Sequence, residues 1–126
     1  MTAGTDARGR YYGGSEARTE AGVASATITT TTTSTAFQTE DVGTVLATLV
    51  VSAASGTSPT LDVTLETTVD GTNWTTVAAF AQQTTTQAGL AKAFGVLGSQ
   101  CRWKATVGGT TPSFTYAITS TVKRTR

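Results

Sequence analysis

The 126-residue chain is long enough for one domain and too short for two, and its 38% hydrophobic and 13% charged residues are both low for a globular domain. A net charge of +1 excludes recruitment to nucleic acid or an anionic membrane by a strong global field. With no histidine and a single cysteine, Cys101, neither an intrachain disulfide nor a clustered Cys/His zinc site can form.

Threonine fills the gap, with 31 residues. Its β-branched side chain restricts χ1 and suits a pleated strand better than a helix, and its hydroxyl tolerates water on an outer face. Together with 13 glycines and only 2 prolines, this predicts an all-β chain rather than a Pro-rich disordered stalk. No apolar run approaches the roughly 20 residues of a membrane-spanning helix. The first residues lack an apolar stretch of the kind that makes a secretory signal, so synthesis in a cytoplasm without that export route is expected.

Residues 1–22 differ from the rest. They carry Asp6, Arg8, Arg10, Glu16, Arg18 and Glu20 among glycines, and only Tyr11 and Tyr12 offer large apolar surface. Such a segment cannot build a core of its own. It is expected to be an extended or disordered arm, with residues 23–126 forming the folded domain. Arg and Tyr are enriched in interface hot spots because each supplies contact area and directed hydrogen bonds. Arg8, Arg10, Tyr11, Tyr12 and Arg18 are therefore the candidate partner-binding residues.

From Val23 the hydrophobic period becomes two. Val23–Thr33 reads as a Thr-rich edge strand, followed by a short segment anchored by Phe37. Val42–Ser52 places Val45, Ala47, Leu49 and Val51 on one parity and Leu46 and Val50 on the other, which suits burial on both faces. Ser55-Gly56-Thr57-Ser58-Pro59 reads as a turn. Leu61, Val63, Leu65, Thr67 and Val69 then alternate with Asp62, Thr64, Glu66 and Thr68, the cleanest half-buried strand in the chain. Asp70-Gly71 opens a hairpin whose return strand runs Trp74–Phe80. Gln82–Gln87 is a polar loop, Gly89–Phe94 a short strand, and Gly95–Ser99 a turn. Cys101, Trp103, Ala105 and Val107 face inward, with Arg102, Lys104 and Thr106 outward. Gly108–Pro112 reads as another turn. Phe114, Tyr116, Ile118, Ser120 and Val122 close the domain before a basic tail, Lys123–Arg126.

Seven to eight strands at this spacing predict an antiparallel β-sandwich, immunoglobulin-like or jelly-roll-like, without a substantial helix. Trp74, Phe80, Phe94, Trp103 and Phe114 are the expected aromatic core between two sheets.

Little in the sequence points to catalysis. Histidine, the readiest acid–base group at neutral pH, is absent. Asp62 and Glu66 share a strand parity, as a pair of catalytic carboxylates would, but they read as a solvated sheet face. Asp70 belongs to a turn rather than a calcium site, and Glu40-Asp41 to a solvated loop. Cys101 reads as a buried apolar thiol. In Arg102-Trp103-Lys104 the alternation puts the indole inside, against a nucleic-acid stacking platform. No catalytic residue, metal, cofactor or small-molecule substrate is expected.

Three stretches carry a resemblance. They are Ser58–Val77 with Asp70-Gly71-Thr72-Asn73-Trp74 at its hairpin, Ala93-Phe94-Gly95-Val96-Leu97-Gly98, and Cys101–Tyr116 with Gly108-Gly109-Thr110-Thr111-Pro112-Ser113-Phe114. Together, over residues 42–122, they resemble small β-sandwich capsid decoration (head-stabilising) proteins of tailed bacteriophages, those of actinobacteria in particular. The resemblance implies a virion protein, a homotrimer seated on the outer surface of an HK97-type shell with the major capsid protein as partner. It transfers no catalytic residues and does not cover the arm. A carbohydrate- or receptor-binding module of the virion or tail, and a tail-tube or tail-completion protein, are the alternatives.

Overall fold

The structure, a computed structural model, describes residues 15–17, 21–40, 42–95 and 97–124. Eight strands, β1 (Ser15–Ala17), β2 (Val23–Ile28), β3 (Thr32–Thr33), β4 (Phe37–Gln38), β5 (Val42–Thr68), β6 (Thr75–Ala79), β7 (Gln87–Phe94) and β8 (Gln100–Arg124), form one antiparallel sheet. The all-β, sandwich-like architecture agrees with the sequence expectation.

Two strands dominate. β5 and β8 pair with each other from Val42↔Arg124 to Thr68↔Gln100. Midway, both bend. Gly56 and Ser58 take φ of 115° and 51° on β5, and Gly109 and Thr111 take 106° and 46° on β8. The register shifts there, with Ser55 opposite Ser113, Thr57 opposite Thr110 and Thr60 opposite Gly108. The two predicted turns are thus corrected: they are bulges facing one another within continuous strands. A Gly-Thr-(Ser/Thr)-Pro cluster supplies left-handed backbone for a bend as readily as for a reversal. Each glycine also sits where a side chain cannot. A Cβ on Gly56 would lie 2.8 Å from the Thr111 carbonyl oxygen, and one on Gly109 2.6 Å from that of Ser58.

The bend folds the sheet into two layers, long strands switching layer at a bulged corner. In the first layer the Val42–Ser55 half of β5 lies between β7 and the Phe114–Arg124 half of β8, which β1 and β2 flank. In the second, the Thr60–Thr68 half of β5 lies between β6 and the Gln100–Gly108 half of β8, which β3 and β4 flank. The layers are related by a pseudo-two-fold axis between Thr57 and Thr110. It exchanges the pair Ser55↔Ser113 with Thr60↔Gly108, and the core pair Leu49↔Ile118 with Leu65↔Trp103.

The inner faces meet as one core. Val45, Ala47, Leu49 and Val51 face Leu61, Val63 and Leu65, with Cys101, Trp103, Ala105, Phe114, Ile118 and Val122 completing it. Phe94 of the first layer stands edge-on to Trp103 of the second at 5.3 Å between centroids, and Phe80 packs on both. Phe80, Phe94, Trp103 and Phe114 are buried, as the alternation implies.

Trp74 is the exception and a correction: it is half-buried on the outer surface, with the Arg102 guanidinium 4.2 Å from its ring centroid. Counting alternation from Trp74 to Phe80 assumed an unbroken strand, whereas β6 spans only Thr75–Ala79 and its register with β5 shifts between Leu65 and Glu66. Thr68, expected outward, is buried where Ser99 donates to its carbonyl, and Val69, expected inward, lies past the end of β5 and is 82% exposed. Leu46 is 50% exposed, so the Val42–Ser52 segment is not buried on both faces as expected.

The expected boundary at residue 22 also moves. β1 pairs with Thr121–Lys123, and Ala21 is fully buried, so both belong to the folded domain. The expected strand Val23–Thr33 breaks at Thr29–Thr31, and its two parts pair with opposite halves of β8. Arg8, Arg10, Tyr11, Tyr12 and Arg18 lie outside the described residues.

Candidate interaction surface

The outer face of the second layer gathers most of the chemistry the described residues offer. On β8, Arg102 and Lys104 alternate with the buried Cys101, Trp103 and Ala105 and so face outward. Glu66 stands opposite Arg102, Thr64 opposite Lys104 and Asp62 opposite Thr106. Thr76 of β6 lies beside Glu66.

Arg102 is fixed in orientation. Its Nε donates to Glu66 Oε1 at 2.8 Å, with side-chain exposures of 29% for Arg102 and 11% for Glu66. The guanidinium carbon lies over the Trp74 ring, where the negative face of the indole attracts a cation. Trp74 in turn follows a tightly bonded loop. The Asp70 carboxylate accepts from the backbone N–H groups of Thr72 and Asn73, from Asn73 Nδ2 and from the Thr68 hydroxyl. Those donors hold the carboxyl well below the usual carboxylate range, the backbone N–H of Asn73 contributing most. Asp70 therefore acts as the turn residue that the sequence implied.

The two strand carboxylates do not form a catalytic pair. Glu66 is engaged by Arg102, and both oxygens of Asp62 accept from Gln82 Nε2, at 3.1 and 3.0 Å. No cluster of three metal-ligating side chains occurs among the described residues. Cys101 is buried, as expected, with its sulfur 3.5 Å from Thr67 Oγ1 and 3.6 Å from Thr39 Oγ1, and burial pushes its thiol pKa up. An open depression lined by Gly22, Val23, Ala24, Thr33, Ser34 and Thr35 carries no titratable group.

A second arrangement concerns the root of the N-terminal segment. The Ala21 carbonyl accepts from Trp103 Nε1 at 2.7 Å and from Ser120 Oγ at 2.8 Å, joining β8 residues from both layers. Sequence reasoning missed Ala21, because a small residue in a Gly-rich stretch carries no signal of its own. It also missed the Glu66–Arg102 pair, which exists only through the register of two distant strands.

No protein-family model, no curated protein and no solved structure matches the chain.

Proposed function

We propose that the chain is a non-enzymatic structural protein of a virion. It acts as a capsid decoration, or cement, protein that sits as a homotrimer on the outer surface of a phage shell and bridges major capsid subunits through its N-terminal segment. The reading is supported by the way that segment's root is held. β1 hydrogen-bonds along the end of β8, and Ala21 is tied to both layers through Trp103 and Ser120. A strap resists rupture only if its attachment does not peel. Here, tension on the residues before Ser15 is carried directly into the core. Several such straps per oligomer multiply weak contacts, because all must release together.

Deleting residues 1–14, which spares β1 and Ala21, is expected to abolish co-sedimentation with empty shells while leaving the thermal unfolding midpoint unchanged. Undiminished shell binding by the truncated chain would overturn the role of the arm. Electron microscopy of the particle tests the location: rings along a tail, rather than trimers on the shell, would replace this reading with the tail protein. A receptor-binding module is the second reading, favoured by Trp74, which the fold leaves at the outer surface instead of in the core.

A further inference from the structure

The pseudo-two-fold axis supplies a comparison within one molecule. Next to the equivalent core pairs Leu49↔Ile118 and Leu65↔Trp103 stand the outward pairs Thr48↔Thr119 in the first layer and Glu66↔Arg102 in the second. One step nearer the bend, Val50↔Ala117 corresponds to Thr64↔Lys104. The first layer shows what this backbone needs at these positions: small uncharged side chains. The second carries a carboxylate buried to 9% exposure and two cations at those sites, with Trp74 from the loop before β6 against one of them. Taking Glu66 out of water costs free energy that a Thr there would not incur. The fold does not require this cluster.

We propose that Trp74, Arg102 and Lys104 form a docking site for a carboxylate on the surface of a partner protein. Each carboxylate on this face already accepts a hydrogen bond, Asp62 at both oxygens from Gln82 and Glu66 at Oε1 from Arg102. Donor capacity is left over: among the described residues Arg102 donates through Nε alone and Lys104 makes no ion pair. The result is a guanidinium, 29% exposed, held between the Trp74 ring and Glu66, with a second cation two residues along the strand. A planar fork held in advance matches the two oxygens of a carboxylate and loses little entropy on binding. The surrounding Thr64, Thr76 and Thr106 make a low polar sheet face, suited to a protein surface. Arg102 already covers a face of the indole on which a sugar ring would stack. Trp and Arg are also the residues that most often dominate protein interfaces.

The site is independent of the arm and of where the protein resides, so its test uses the isolated full chain. The ¹⁵N-labelled protein is titrated with a blocked peptide carrying adjacent Asp and Glu, with its Asn/Gln counterpart, and with an oligomer of glucuronic acid. The acidic peptide is expected to shift the Trp74 indole N–H and Arg102 Nε–H resonances, and the amide peptide to leave them in place. Arg102→Lys, which keeps the charge but not the fork, is expected to weaken the response about tenfold. The double variant Glu66→Thr with Arg102→Thr copies the opposite layer, so it is expected to fold normally and not respond. Absence of any shift, an equal shift with the amide peptide, a wild-type response from Arg102→Lys, or a response to the oligosaccharide alone would each overturn the proposal.

Discussion

Trp103 illustrates how much one side chain does here. It fills the centre of the core against Phe80 and Phe94, and its single polar atom is satisfied by Ala21. Trp103→Phe is expected to cost about 2 kcal/mol, from a partly filled cavity and a lost hydrogen bond. Ser120→Ala should cost less, about 1 kcal/mol, because Ala21 keeps its other donor. The double variant strands that buried carbonyl, so denaturant unfolding should show a loss larger than the sum of the two.

Asp70 acts through its charge. Its pKa is depressed in the folded state, so its stabilisation is complete above the ordinary carboxylate range and is lost as pH falls towards the depressed value. Asp70→Asn should therefore lower the melting temperature at neutral pH, and the gap to wild type should narrow below about pH 4. Cys101, buried and with its pKa raised, should resist thiol reagents until the chain is unfolded.

At the scale of elements, the facing bulges decide the fold. Gly56→Ala and Gly109→Ala each force a Cβ against backbone atoms at a positive φ, and each is expected to cost roughly 2–4 kcal/mol. Gly71 separates the two causes. Its φ is 81°, but a Cβ there would meet nothing within 4 Å, so Gly71→Ala should cost only about 1 kcal/mol. Comparing chemical denaturation midpoints of the three variants measures how much of the penalty is contact rather than dihedral strain. Gly98 belongs with the first two, since a Cβ there would run into the Thr68 carbonyl. That close approach seats the segment before β8 beside the end of β5, where Ser99 N–H donates to Thr68 O.

The whole molecule is two similar units that exchange strands. The long strand of the first unit, β5, is flanked by β6 and β7 of the second, while β8 is flanked by β1 to β4 of the first. Only the loop around Asp70-Gly71 links them in sequence, and the hydrogen bonding between β5 and β8 links them in space. Fragments 1–71 and 72–126 should therefore fold together when co-expressed and show the native near-ultraviolet signal of Trp103, while neither folds alone. Independent folding of either fragment would mean that the strand exchange is dispensable.

Much of this was legible in the chain itself. Period-two alternation in Thr-rich segments determined the strands, the inward sets and the burial of Phe80, Phe94, Trp103, Phe114 and Cys101, because side-chain direction along a strand is a local property. Position in the fold was not local. Whether a Gly-Pro cluster reverses the chain or bends it depends on what lies across from it, so the Gly56 and Gly109 segments were legible as left-handed backbone but not as one shared corner. Trp74 was misplaced because a single bulge moves every later side chain to the other face. The Glu66–Arg102–Trp74 cluster and the anchoring of Ala21 arise from pairings between residues distant in sequence, which only the tertiary register brings together.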